Sequence, residues 1–359
     1  MNGMNKVIVG LSGGVDSAVA AYLLKKDGYD VVGVTLRTWQ SDDGSESLCC
    51  DIDDARSAAF AIGIDYYPVN CTSDFKRYVV DPFAEVYLRG MTPNPCIECN
   101  RYVKWDKLLY YAKISGAGFI ATGHYASVVR MESGRYTLKK AGFAEKDQTY
   151  MLYKLTQEQL ASTLMPLGGL SKSEVRQIAK DAGLPVASKP DSQEVCFVTD
   201  GSYADFIEKN TGSDGVPAGN FVDTDGNILG RHKGICHYTV GQRKGLGLAL
   251  GYPAYVNEIR PDSNEVVVGD ERFLFRSELL CADTNFMSIP GLNAGEEISC
   301  TVKIRYRHGG EHAIISSGGG NTVKVVFEKP VRAPTPGQSA VFYDSEERII
   351  GGGVIAEVR

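Results

Sequence analysis

The chain has 359 residues, 43% of them hydrophobic and 23% charged, with a formal net charge of −6 and a pI near 5.5. That length accommodates two or three domains of roughly 100 to 200 residues, and the composition is that of a soluble globular protein. No run approaches the ~20 apolar residues of a membrane span and no apolar export segment opens the chain, so a cytoplasmic protein with no membrane partner is expected.

Residues 6–25 read as strand, tight loop and helix. The β-branched run Val7-Ile8-Val9 leads into Gly10-Leu11-Ser12-Gly13-Gly14-Val15-Asp16-Ser17, after which Ala18, Val19, Tyr22 and Leu23 recur at helical spacing. Gly13 and Gly14 carry no Cβ to hold a ligand away. The N–H groups of the loop can therefore converge on an anion at the positive end of the helix, with Ser12 and Ser17 adding hydroxyl donors. No Gly-Lys-Ser/Thr closes the loop, which separates it from phosphate loops whose own lysine reaches a terminal phosphate. Ser-Gly-Gly-x-Asp-Ser at such a junction resembles the pyrophosphate loop of the adenine-nucleotide alpha hydrolases, which cut ATP between the α and β phosphates.

Further strands are expected at Asp30–Leu36 and Tyr66–Val69, with a helix at Asp53–Ile62 between them. This alternation predicts a doubly wound parallel α/β sheet with its ligand at the carboxyl ends of the strands. Leu36 ends the second strand, where an adenine ring would rest. Residues 74–115 read as helices interrupted by Thr92-Pro93-Asn94-Pro95. The strand Phe119–Thr122 then delivers Gly123, His124 and Tyr125 to the same side as the first loop. Lys146-Asp147-Gln148 precedes an expected amphipathic helix over Thr149–Leu160, and a second helix, Ser173–Ala182, starts with a Ser/Glu cap.

Beyond about residue 200, glycines and short alternating runs indicate β structure, including Ala254–Ile259 and Glu265–Val268. Ile298–Tyr306, Thr322–Phe327, Ser339–Tyr343 and Ile349–Val358 predict a small antiparallel barrel or sandwich. The expected division is a nucleotide-binding domain over 1–200, a small central β-rich linker domain over 201–278 and a C-terminal β-barrel-like domain over 279–359. Two basic stretches stand against the acidic whole: 226–257, which has no acidic residue but carries Arg231, Lys233, Arg243 and Lys244, and the knot Lys303-Ile304-Arg305-Tyr306-Arg307-His308.

Nine cysteines without an export signal point to thiol or metal chemistry rather than a disulfide scaffold. Cys71, Cys236, Cys281 and Cys300 read as small buried hydrophobes. Cys96-Ile97-Glu98-Cys99 is open to three readings: a redox pair, half a zinc site or a chance pairing. No second C-x-x-C completes a four-thiolate zinc site, which weakens the zinc reading. Cys99, read as opening a helix with Arg101 and Lys104 nearby, is a candidate nucleophile, because that setting favours the thiolate. Cys196 stands in a polar loop just ahead of apolar residues.

Seven motifs in order resemble the bacterial tRNA-specific 2-thiouridylases over nearly the whole chain: Ser12–Ser17, Cys49-Cys50-Asp51, Thr92–Cys96 with Cys99-Asn100, Ala121–Tyr125, Lys146–Gln148, Ser192-Gln193-Glu194 with Cys196-Phe197, and Gly241–Leu246. The resemblance implies an ATP- and Mg²⁺-dependent replacement of O2 of the wobble uridine by sulfur in tRNAs for lysine, glutamate and glutamine. A cysteine desulfurase or relay protein would deliver persulfide sulfur. It further implies that Gly10–Ser17, Leu36 and Gly123 bind ATP, and that Cys99 is the nucleophile. Cys196 would carry the persulfide, with a disulfide forming between the two cysteines. Asn94, Pro95 and Cys96 would meet the target base, and His124, Lys146, Asp147, Gln148, Arg305, Tyr306 and Gln338 the tRNA. Some well-known members carry Asp where this chain has Cys96, so Cys96, Cys99 and Cys196 are alternatively ligands of a [4Fe-4S] cluster. A ligase forming a C–N bond would need an ammonia source, and no glutaminase domain is present. An RNA-binding or zinc-stabilised module that binds no ATP is the non-enzymatic alternative.

Overall fold

A computed structural model describes residues 5–40, 50–190, 195–198, 201–211 and 216–359. Cys49 and Ser192-Gln193-Glu194 lie outside the described residues. The first part of the chain forms strands β1 (Lys6–Gly10), β2 (Asp30–Arg37), β3 (Asp65–Asn70) and β4 (Phe119–Ala121), an antiparallel hairpin of β5 (Ala126–Arg130) and β6 (Tyr136–Lys140), and the short β7 (Thr163–Leu164). Five of these form one parallel sheet in the order β3-β2-β1-β4-β7. Helices α1 (Val15–Lys26) and α2 (Ile52–Ile62) supply the first two crossovers. Val7 and Val9 are buried on one face of β1 and Ile8 on the other, as a strand covered on both sides requires. The chain leaves β1 for β2 on one side and returns at β4 on the other. The loops after β1 and β4 therefore diverge and leave a crevice at their carboxyl ends.

Later strands make two further β units. β8 (Gly219–Val222), β9 (Ile228–His232), β10 (Tyr255–Arg260) and β11 (Glu265–Gly269) form a sheet in the order β10-β11-β8-β9. β12 (Phe275–Phe286), β13 (Glu297–Lys303), β14 (Glu311–Gly319), β15 (Thr322–Arg332), β16 (Ser339–Tyr343) and β17 (Ile349–Val358) close into an antiparallel barrel. Closure leaves no unpaired edge, and the interior is filled by Leu279, Cys281, Val302, Ile315, Val325, Phe342 and Ile355. The first barrel strand begins at Phe275, ahead of the boundary expected at 279.

Local expectations are corrected in three places. The helix expected over Thr149–Leu160 is two short ones, 3₁₀ at Thr149–Leu152 and α at Gln157–Ala161, because Thr156 caps the second in a capping box with Gln159. The helix expected from Ser173 runs over Lys172–Asp181 and is called α3 here; its capping box is Ser171 with Glu174. The strand expected through Tyr306 ends at Lys303, so Arg305 and Tyr306 ride on a turn beyond the barrel wall.

One core cluster runs from the sheet into the barrel, joining Ile8, Trp105, Tyr150 and Tyr153 to Val341, Tyr343 and Ile349. The buried Tyr150 hydroxyl donates to the Ser339 carbonyl at 2.9 Å, and Thr137 Oγ1 donates to the Ile349 carbonyl at 2.6 Å. The barrel is thus fixed to the helical layer beside the sheet.

Candidate active site

The loop after β1 is built from its own hydroxyls. Ser17 Oγ donates to the Gly14 carbonyl at 3.0 Å and accepts from Ser12 N–H at 3.1 Å, while Ser12 Oγ accepts from Gly14 N–H at 3.3 Å. No side chain caps α1 at Gly14, which leaves that end of the helix shaped for an anion. Gly13 has φ +76°, and a Cβ there would lie 2.5 Å from the Asp51 carbonyl oxygen. Only glycine fits. Asp51 caps α2, and its carboxylate accepts from Lys189 Nζ at 2.7 Å; Lys189 also pairs with Asp54. Burial works against the Asp51 charge, but Lys189 and the Asp54 N–H outweigh it and hold the carboxyl below its ordinary value. Leu36 is buried next to the last residue of β2.

At the end of β4 the chain passes so close to α1 that a Cβ on Gly123 would lie 2.6 Å from Ser17 N and 2.7 Å from the Asp16 carbonyl carbon. His124 turns inward. Its Nδ1 is 2.8 Å from Thr122 Oγ1, its ring lies 5.5 Å from that of Trp105, and burial, with Lys104 nearby, pushes its imidazole down to about 3. It is neutral at physiological pH. The Asp16 carboxylate accepts from Tyr125 Oη at 2.7 Å and from Lys172 Nζ at 2.7 and 2.8 Å. Lys172, like Asp51 and Lys189, was not among the residues that the sequence picked out as site candidates.

The cysteine pair sits on a helical run of three pieces: α over Pro95–Glu98, π over Cys99–Trp105 and α over Asp106–Ser115. Asn94, not Cys99, opens it. The Asn94 side chain accepts from Cys96 N–H at 3.2 Å, and Pro95 fills the first turn, where no N–H is needed. Cys96 is therefore partly exposed at the helix start, whereas Cys99 is buried one turn in. Wide π turns within α-helices are frequent at functional sites. Between the cysteines, Glu98 accepts from the almost buried Lys154 at 2.6 Å. Lys154 also donates to Asp283 at 2.6 Å, at a bulge in β12 where Asp283 adopts φ +46°. Cys196 is partly exposed and is anchored by its neighbour Phe197, whose ring packs against Trp39, Phe75, Phe83 and Phe206. Among the described residues no three His, Cys, Asp or Glu side chains are grouped to hold a metal ion.

The expected tRNA-facing residues fall into two kinds. Lys146, Arg305 and Tyr306 are partly exposed, in a cluster with Lys303, Arg307 and His308. Burial, with Arg332 beside it, disfavours the Arg305 charge, and burial does the same for Lys303 against the pull of the Asp147 carboxylate. Asp147, Gln148 and Gln338 are tied into the protein instead. The buried Asp147 carboxylate accepts from Thr149 Oγ1 at 2.9 Å and from Ala141 N–H at 3.3 Å. Gln148 Oε1 accepts from Tyr125 N–H at 2.9 Å, and Gln338 Nε2 donates to the Thr92 carbonyl at 2.9 Å. The Thr92 N–H in turn donates to the Pro336 carbonyl at 2.9 Å, so a barrel loop shapes the segment leading into Asn94-Pro95-Cys96.

Comparison with known proteins gives a consistent picture along the chain. Family models described as a tRNA methyl transferase HUP domain, a tRNA methyl transferase PRC-barrel domain and an aminomethyltransferase beta-barrel domain match residues 5–200, 204–270 and 276–355. Among curated relatives, the tRNA-specific 2-thiouridylase MnmA of Lachnoclostridium phytofermentans is 54% identical over 98% of this chain and 99% of its own. The proteins of the same name from Clostridioides difficile and Acetivibrio thermocellus are 50% identical over 98% of each chain, and 51% identical over 98% of this chain and 99% of the relative, respectively.

Proposed function

The chain belongs to the tRNA-specific 2-thiouridylase family, and from that premise we propose that it uses ATP to activate O2 of the wobble uridine of tRNA and replaces that oxygen with sulfur. The enzyme is a tRNA-uridine sulfurtransferase; the route is our reading. Identity of 54% over 98% of the chain is the observation that carries it.

A uracil carbonyl oxygen is a poor leaving group. In our scheme it attacks the α phosphorus of ATP, a new P–O bond forms and pyrophosphate departs into the Gly10–Ser17 loop. Mg²⁺ would screen the phosphate charge. It would arrive with the triphosphate, since no dedicated acidic cage exists among the described residues. A donor protein loads Cys196 with persulfide sulfur. The Cys99 thiolate attacks the inner sulfur of that persulfide, a Cys99–Cys196 disulfide forms and hydrosulfide is expelled. Hydrosulfide adds to C2 of the activated base, AMP leaves with the former O2, and a thiol reductant resets the disulfide. Asn94, Pro95 and Cys96 would face the flipped base, with Lys146, Arg305 and Tyr306 on the surrounding phosphates and bases. His124, Asp147, Gln148 and Gln338 would shape that surface through the contacts described above. The tRNAs for lysine, glutamate and glutamine, a cysteine desulfurase or relay protein as donor, and a cytoplasmic setting complete the proposal. No helix among the described residues is long and apolar enough to cross a membrane.

The test is one reaction with ATP labelled at the α phosphate, tRNA with an unmodified wobble uridine and a persulfide donor with no free sulfide added, scored for AMP and for retardation of tRNA in a mercury gel. AMP with retarded tRNA, both retained in the wild type and thiolation lost in Cys99→Ser, is expected. Neither product from folded protein would sink the proposal.

A further inference from the structure

We propose that Lys172 is the phosphate-side cation of the nucleotide site. The loop Gly10–Ser17 contains no lysine or arginine, although it is the segment assigned to an anion carrying several charges. The fold supplies the missing charge from 156 residues away: Lys172 Nζ lies 2.7 and 2.8 Å from the two carboxylate oxygens of Asp16, in the first turn of α1. The ammonium thus sits beside the open helix end where the phosphates would bind.

Three features argue for more than a surface ion pair. The Lys172 side chain is only 14% exposed. It is the first residue of α3, held by the Ser171–Glu174 capping box, and α3 packs through Val175 and Ala179 into the cluster that contains Val15 and Val19 of α1. The ammonium is therefore delivered by one rigid helix to the end of another. A cation in the first turn of a helix also opposes the helix dipole, an unfavourable placement that tends to be kept where function requires it. Asp16 balances the charge. A polyphosphate arriving at α1 carries more negative charge than one carboxylate, so it draws the ammonium across while Asp16 keeps it in reach. Tyr125, donating to Asp16 at 2.7 Å, fixes the carboxylate during that exchange.

The proposal rests on the ATP-binding reading, and its test separates the two. Affinities for ATP and for AMP are measured by calorimetry on the wild type, Lys172→Met and Lys172→Arg, with near-ultraviolet circular dichroism to establish that each is folded. Lys172→Met is expected to weaken ATP by about 10- to 100-fold, the worth of one or two charge-assisted hydrogen bonds, while AMP changes by less than about twofold. Lys172→Arg recovers most of the ATP affinity. Equal loss of both nucleotides in Lys172→Met would assign the lysine to holding Asp16 alone, and unchanged ATP affinity would remove it from the site; either overturns the proposal. A wild type that binds neither nucleotide overturns the ATP reading itself.

Discussion

Replacing Gly123 by alanine tests whether the closeness of β4 to α1 sets the nucleotide loop. The new methyl carbon would lie 2.6 Å from Ser17 N, 2.7 Å from the Asp16 carbonyl carbon and 2.9 Å from its oxygen, against 3.4 Å for ordinary contact. All three neighbours are backbone, so no rotamer change relieves the clash. The start of α1 must retreat by about 0.8 Å, carrying with it the Asp16 carboxylate and the N–H groups proposed to hold pyrophosphate. Overpacking of this kind costs about 1 to 3 kcal/mol of stability, and a misplacement near 1 Å costs up to about 10²-fold in rate. AMP release from labelled ATP should fall about 30- to 100-fold, with the protein still folded. Gly142→Ala is the matched control, because its nearest neighbour would lie at 3.7 Å. A Gly123→Ala enzyme within twofold of wild type in ATP affinity and AMP release would refute the argument.

Three other expectations follow from the site. Arg305→Ala should weaken tRNA binding and reduce the slope of log affinity against log salt by about one, as loss of one phosphate contact does; an unchanged slope would remove Arg305 from the interface. Brief alkylation at pH 8 should label Cys96 and Cys196 before Cys281 and Cys300, whose thiols burial pushes up to about 12; equal labelling of all four in folded protein would contradict that burial. His124 binds a proton near 6.5 when unfolded but only near 3 in the fold. Its contribution to stability is therefore complete above pH 6.5 and is lost as pH falls toward 3. Urea midpoints of wild type should decline more steeply between pH 7 and 4.5 than those of His124→Gln, and parallel curves would show that the imidazole is not held neutral.

The parallel sheet was legible because each of its first strands is a short apolar run followed by a helical pattern, and Ser12–Ser17 marked the crevice before any geometry was known. Lys172 was not legible. Its sequence setting is an ordinary helix start, and only the packing of α3 on α1 brings it to Asp16. Asp147 shows a second limit: a polar residue in a polar stretch reads the same whether its carboxylate faces solvent or, as here, holds Thr149 and Ala141 in place. β14 escaped notice because it ends in Ser-Ser-Gly-Gly, and its inward residues, Ala313 and Ile315, are recognisable only once the barrel is closed. Cys99 was misplaced by one helical turn, because the Asn94–Pro95 start was read as an interruption rather than a cap.

The hydrogen bond from Gln338 to Thr92 spans 246 residues. At about 5 to 20 residues per second, a ribosome needs on the order of 10 to 50 s to make the chain between them. The sheet and the loop after β1 can form during that interval, since all their strands precede residue 165. The approach to Cys96 cannot take its final shape until the barrel has emerged. In a nascent chain the sheet and the loop after β1 therefore precede the surface proposed to present the base, which waits for the barrel.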